Sequence, residues 1–248
     1  LYKHRKFCSK RNYFVNDFNK FKAITGFFTF AAMTNQMYDH ILLPTAYFPP
    51  IRYFISLSIT HQCSIESYET YIKQSLRNHC TILTANGIQK LSIPVRKPMG
   101  SKTKTGKIEL IGQSNWNILH WRAIATAYGK SPFFEFYRDQ VEAVLKNPPK
   151  LLIQLNSHLL ELFMNLLRIE CNLRHTAHWQ AHTVQETDCR SINFEALHPE
   201  EIYEPYTQVF SDRHRFEPNL SILDLIFNIG PDAAAYVTHH AQKFLSLR

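Results

Sequence analysis

The stretch HILLPTAYFPPIRYFISLSITHQCSIES, residues 40–67, decides the fold. His40 to Pro44 is a short apolar run, and HQCSIES (61–67) is a second short strand candidate. Between them Ile51, Phe54 and Ile55 recur at helical spacing, and Pro50 suits the first turn of that helix. A strand, a helix entered through proline and a second strand within about 30 residues is the economy of a βαβ unit. The two strands are then parallel. Ligands of open α/β sheets bind beyond the carboxyl ends of the strands. Thr45, Tyr47 and Phe48 after the first strand, with Tyr68, Glu69 and Tyr71 after the second, therefore mark where a site is sought.

Outward from this unit, Asn86-Gly87 between CTILTA and IQKLSIPV predicts an antiparallel hairpin over Cys80 to Val95, because both residues accept positive φ. KPMGSKTKTG (97–106) reads as a mobile lid or a disordered excursion. IELIG (108–112) reads as a strand. Ser114 is expected to cap a helix over 115–128, with Trp116, Leu119, Ala123 and Ala127 on its buried stripe and Gly129 at its end. Ser131-Pro132 opens a second helix, which stops before Pro148-Pro149. A third helix, LLIQLNSHLLELFMNLLRI (151–169), carries Leu152, Leu155, Leu159, Leu162, Phe163 and Leu166 on one apolar face. That helix reads as core, with nothing asking for a ligand. Thr176 to His182 and Ile192 to Phe194 are further strand candidates.

FEPNLSILDLIFNIGP (216–231) sets Leu220, Leu223, Ile226 and Phe227 at helical spacing. Its Ser221-x-x-Asp224 start and Gly230-Pro231 stop predict a short buried helix. A final helix follows Pro231. The expected architecture is a single α/β domain, a small mixed sheet (the βαβ opening plus the antiparallel hairpin) wrapped by helices.

Composition narrows the function classes. The 248 residues are 45% hydrophobic, enough for a substantial core. The formal net charge of +8 is uneven: residues 1–36 hold seven basic side chains against Asp17, whereas residues 37–248 carry 21 basic and 19 acidic. A nearly balanced body argues against a nucleic-acid footprint. Residues 1–36 are expected to be a poorly ordered leader. A secretory signal, a basic lipid-touching tail and upstream sequence foreign to the native protein are its three readings, and we favour the last. Five cysteines without a C-x-x-C pair indicate neither a zinc knuckle nor a disulfide framework, so a reduced, cytoplasmic protein is the default. No apolar run is long enough to span a bilayer, so no integral membrane segment is expected. Oligomeric state stays open.

Several constellations carry possible chemistry. Lys73, Gln74, Arg77 and Asn78 combine an ammonium, a guanidinium fork and two amides, a set suited to a phosphate or carboxylate. The plain alternative is a solvated turn. His120 is either a general base or a half-buried histidine satisfied by a neighbour. Asp224 either bonds its own helix start or faces a pocket together with Asn228, one turn later. Glu66 and Glu69 offer a carboxylate near the strand ends, but alternation does not say which points inward. His175, His178 and His182 lack the cysteine or carboxylate that would complete a metal site, so no metal is expected. No cofactor motif is present.

Three separated motifs resemble the WbqC-like protein family, found among genes for surface-polysaccharide (O-antigen) assembly: LLPTAYFPP (42–50), YIKQSLRNHC (71–80), and PYTQVF (205–210) with NLSILDLIFNIGP (219–231). The second matches the family's Y-x-K-Q-x-x-R-N-R-C at Tyr71, Lys73, Gln74, Arg77, Asn78 and Cys80. It departs at His79, where a permanent cation becomes a titratable ring. A W-x-x-x-H element is matched by Trp116 and His120. The resemblance covers about 200 residues from Met37. It implies a role in surface-glycan precursor biosynthesis, with acyl or aminoacyl transfer to an amino-sugar nucleotide as the conjectured reaction. In that reading His120 and Asp224 are catalytic. Tyr47, Tyr71, Lys73, Gln74, Arg77, Asn78 and Asn228 bind an anionic small-molecule substrate, a nucleotide sugar or an acyl donor. Whether the chain is an enzyme stays open; a non-catalytic protein that binds a nucleotide sugar or a partner is the alternative.

Overall fold

Prolines and short apolar runs set the layout. In the computed structural model, which describes residues 38–112, 114–179, 186–195 and 203–246, Tyr38–Pro44 (β1) and Thr60–Glu66 (β2) pair in parallel from Tyr38↔Thr60 to Pro44↔Glu66. Ile51–Ser58 (α1) joins them and completes the βαβ unit. Pro50 sits one residue before the helix, at φ −68° and ψ 161°. Its missing N–H leaves no helical bond unmade there.

The hairpin forms from His79–Thr84 (β3) and Gly87–Ser92 (β4). Its two-residue turn is Ala85-Asn86, and of the Asn-Gly pair only Gly87 has positive φ, at 99°. The turn therefore lies one residue earlier than the Asn-Gly signature suggests. Val95 leaves the hairpin: Val95–Arg96 (β5) pairs antiparallel with Glu109–Leu110 (β6). Both ribbons stand apart from the parallel sheet.

Helices follow over Trp116–Tyr128 (α2), Phe134–Lys146 (α3) and Leu152–Leu166 (α4). Asn115, not Ser114, occupies the α2 cap with φ 45°, and Ser114 Oγ donates to the Ile111 carbonyl instead. The buried stripe of α2 is Trp116, His120, Ile124, Ala127 and Tyr128. Leu119, expected inside, is 58% exposed. Phe163 of α4 meets Phe48 and Phe54 in edge contacts, with centroids 6.0 and 6.2 Å apart, which joins α4 to α1 in the core.

Asn172–His175 (β7) pairs parallel with β2, and Thr187–Asp188 (β8) pairs parallel with β1, giving the order β7-β2-β1-β8. The strand expected at 176–182 thus lies earlier, and residues 180–182 fall outside the described set. Ile192 to Phe194 is a turn rather than a strand, because the Ile192 N–H closes back onto Cys189 O. Ile222–Ile229 (α5) is the short buried helix read from 216–231, with Ser221 Oγ accepting from the Leu223 N–H. Asp232–Ser246 (α6) follows and packs on α1 and α5.

The three sequence motifs converge. Pro50 bridges Ser221, the Ile51 N–H donates to Leu220 O, the Tyr47 N–H donates to Leu76 O of the second motif, and the Ser221 N–H donates to Thr81 O of the hairpin that follows it. The result is one mixed α/β domain. The leader, residues 1–36, lies outside the described residues. No helix among them is long and apolar enough to cross a membrane.

Candidate functional site

The carboxyl edge of the parallel sheet is densely polar. Glu66, the last residue of β2, is buried. Its Oε1 accepts from the Tyr68 N–H at 2.7 Å and from Thr176 Oγ1 at 3.0 Å, and its Oε2 accepts from Arg190 at 2.9 Å. Arg190 also forks onto Asp188 at the end of β8. Beside them Arg77 Nε donates to Glu69 Oε1 at 2.7 Å. Burial raises the Glu69 pKa, and the Arg77 guanidinium opposes the rise. From α4, Asn156 Nδ2 donates to Thr45 Oγ1 and to the Arg77 carbonyl, which ties the end of β1 to the 71–78 segment.

Next to this cluster opens a cleft of about 510 Å³. Its floor is Ser67 and Thr176, just beyond the ends of β2 and β7, and His175, the last residue of β7. One wall is Lys104, Gly106 and Lys107; the other is the polar face of α4, with Gln154, Ser157, His158 and Glu161. The lysine-rich loop, expected to be mobile or disordered, is instead stitched along the chain after β2. The Tyr71 N–H donates to Thr103 O, the Thr105 N–H to Glu69 O and the Gly106 N–H to Ser67 O, while Thr103 and Thr105 are buried. A Cβ on Gly106 would lie 3.0 Å from the Ser67 carbonyl oxygen, so glycine is what lets the loop approach this closely.

His175 is held on both ring nitrogens. Ser67 Oγ lies 3.2 Å from Nδ1 and Ser157 Oγ lies 3.0 Å from Nε2. Partial burial lowers its pKa, which favours the neutral ring. A neutral imidazole donates from one nitrogen and accepts at the other. One serine hydroxyl therefore points its proton at the ring, and the other accepts from it.

The residues singled out in the sequence separate into three groups. Arg77 reaches the mouth of the sheet, paired with Glu69. Tyr71 is buried beside it, its hydroxyl without a hydrogen-bond partner and its pKa pushed up to about 12 by burial. Asn78 spends its amide on the Ile93 carbonyl. Lys73 and Gln74 are exposed; Gln74 has φ 51°, and Lys73 lies against Lys97, whose pKa its contact lowers. Tyr47 and His120 are interior. The Tyr47 hydroxyl is 2.9 Å from His120 Nδ1, and the ring also bonds the Ser92 backbone. Burial drives the His120 pKa down to about 4 and the Tyr47 pKa well up, so a neutral phenol donates to a neutral ring. Asp224 and Asn228 are buried on α5. Asp224 Oδ2 accepts from Tyr206 and Gln208, and Asn228 donates to the Asp224 carbonyl. His79, the departure from the family pattern, pairs with Glu195 at 2.8 Å.

Sequence reasoning passed over Ser67, Lys104, Lys107, Ser157, Asp188 and Arg190 as site residues. One signal was available on α4, where Gln154, Ser157, His158 and Glu161 recur at helical spacing opposite the apolar face. His175 was weighed only as a metal ligand. Among the described residues, no group of three histidine, cysteine or acidic side chains is placed to hold a metal.

The chain belongs to the WbqC-like protein family, matched over residues 45–195 and 183–236. It is similar to an uncharacterised protein of Mycobacterium tuberculosis, Rv1507c: 23% identical over 227 residues, covering 81% of this chain and 98% of the relative. No solved structure matches it.

Proposed function

We propose that the chain is a transferase of surface-glycan precursor metabolism, moving an acyl group from a thioester carrier to the amino group of a nucleotide-linked sugar in the cleft at the strand ends. The observation that carries this reading is His175 set between Ser67 and Ser157 on the cleft floor. An imidazole that is neutral at physiological pH suits general-base work. The amine nitrogen attacks the acyl carbon, His175 takes the nitrogen's proton, the carbon–sulfur bond breaks, and the proton passes to the departing thiolate. The serines hold the ring. Lys104 and Lys107 on the cleft wall supply the charge for the substrate's phosphates. In this reading Arg77 and Tyr71 shape the neighbouring mouth, and Tyr47, His120, Asp224 and Asn228 support the site from the interior. The surface-glycan context rests on the family resemblance.

A second reading, a non-catalytic binder of the same ligand, is favoured by one feature: both His175 nitrogens are already engaged in the free protein. One experiment separates the two. The protein is incubated with acyl thioesters and a panel of nucleotide-linked amino sugars, with product followed by mass spectrometry and binding by thermal shift. The transferase reading expects N-acylated product and a loss of at least about 100-fold in turnover for His175→Gln. Equal turnover by that variant overturns it. Ligand-dependent stabilisation that Lys104→Ala abolishes, with no substrate consumed, establishes the binder instead.

A further inference from the structure

A second groove lies away from the strand ends, between the tip of the β3–β4 hairpin, α2 and the turn that follows Gln208, with a volume of about 710 Å³. Three cations from separate positions surround it: Arg122 on α2, Lys130 just past the end of that helix, and Arg213 on the turn. Arg213 is paired with the exposed Asp212. Neither Arg122 nor Lys130 forms an ion pair among the described residues. Small side chains on α2, Ala123 and Ala127, leave the groove its depth.

The turn wall is built rather than loose. Gln208 closes its base from both ends of one amide: Nε2 donates to the Glu217 carbonyl and Oε1 accepts from the Glu217 N–H, each at 2.9 Å. The same Nε2 reaches Asp224 Oδ2 at 2.8 Å, which anchors the base to α5. The far side is pinned by His214 Nε2 at 3.1 Å from the Ala85 carbonyl of the hairpin. Within the turn, the Arg213 and His214 N–H groups both close onto Phe210 O. Thus Tyr206 and Gln208 of PYTQVF serve the buried Asp224, while Phe210 of the same motif emerges to line the groove.

We propose that this groove is a binding site for a diphosphate group, with Phe210 offering a ring face to an organic substituent on it. The number and separation of the cations argue for an extended anion. Arg122 stands six residues before the helix end at Tyr128, roughly 9 Å along the axis at 1.5 Å per residue, and Lys130 lies beyond that end, so the two cations suit two linked phosphates better than one. Guanidinium forks suit phosphate oxygens, and a groove held rigid before binding spares the ordering cost. The exposed amides of Asn86 and Gln89 add neutral donors.

The test uses the full chain and inorganic pyrophosphate, by isothermal titration at low and physiological salt. The expected result is saturable binding that weakens as salt rises, since exposed charges are screened. Arg122→Glu with Lys130→Glu is expected to weaken it at least about tenfold, which corresponds to roughly 1.4 kcal/mol. Lys104→Ala with Lys107→Ala, which removes the cations of the His175 cleft wall, still leaves a saturable pyrophosphate-binding component, and that component is the one lost on Arg122→Glu with Lys130→Glu. A nucleoside diphosphate should bind more tightly than pyrophosphate, and Phe210→Ala should erase that difference; the unphosphorylated nucleoside should not bind. Arg122→Gln with Lys130→Gln repeats the loss without charge reversal, and unaltered melting in buffer verifies that both double variants fold. No saturable binding of pyrophosphate, or binding that tracks Lys104 and Lys107 instead, overturns the assignment.

Discussion

Replacing Asp224 with asparagine tests how the interior pays for a buried carboxylate. Asp224 has no solvent exposure, and burial, the largest influence, pushes its pKa up to about 6. The Tyr206 hydroxyl at 2.6 Å and Gln208 Nε2 at 2.8 Å pull it part of the way back. The folded state therefore holds this proton more tightly than the unfolded chain does. Stability from this group is complete below the unfolded value and is lost as pH rises through about 6. The gap from an ordinary aspartate near 3.9 corresponds to roughly 3 kcal/mol, with no discount for solvent because the group is fully buried. Asp224→Asn keeps an oxygen acceptor for both donors but does not ionise. Urea unfolding of both proteins, followed by tryptophan fluorescence from pH 4 to 7.5, should show the parent losing roughly 2–2.5 kcal/mol relative to the variant, since at pH 4 the unfolded aspartate is already about half ionised. The difference between the two cancels the remaining titrating groups. Parallel curves, or a parent that gains on the variant as pH rises, would refute the reasoning.

Four further outcomes are expected. Arg77→Met strands Glu69 in its half-buried setting and should cost about 3–5 kcal/mol in urea unfolding. Phe163→Ala empties the contact between α4 and α1 and should cost about 3–5 kcal/mol, read as a lowered Tm. Gly106→Ala drives a methyl toward the Ser67 carbonyl, a backbone atom with little room to yield; a loss of about 1–3 kcal/mol should accompany faster hydrogen exchange at the 103–106 amides. Glu66→Gln weakens the hold on Arg190, and amides of β7 and β8 should exchange faster while those of α5 are unaffected.

How much of this was legible depended on whether the information was local. The βαβ unit was, because prolines at 44, 49 and 50 punctuate it and the apolar spacing changes period between them. The short helix at 222–229 was, because Ser221 and Gly230 mark its ends. β8 was not: it is a two-residue strand of threonine and aspartate, formed because its neighbour β1 supplies the pairing and Leu42 O takes the Cys189 N–H. The phase of α2 was misjudged because hydrophobicity alone does not choose between Leu119 and Ile124; the neighbours of Trp116, His120 and Tyr128 do. The cleft was the least visible part. Its residues come from the chain after β2, the lysine loop, α4 and the end of β7, and only the α4 spacing leaves a local trace.

That assembly gives one buried carboxylate a disproportionate structural role. β7 is a four-residue edge strand with Asn172, Arg174 and His175 exposed, and apolar burial alone gives it little reason to stay in register. Glu66 supplies the reason. Through Thr176 it fixes the residue after His175, and the same threonine Oγ accepts from the Ser67 N–H, so the serine and histidine that meet across the cleft floor share one support. Through Arg190 it fixes the end of β8 on the opposite edge of the sheet. A carboxylate buried this deeply is tolerated because it is hydrogen-bonded on both oxygens and paired with a guanidinium. Its position at the carboxyl end of a central strand is where one side chain reaches both edges. The geometry of the His175 site is therefore set from beneath the sheet's polar edge, by a residue that does not itself line the cleft.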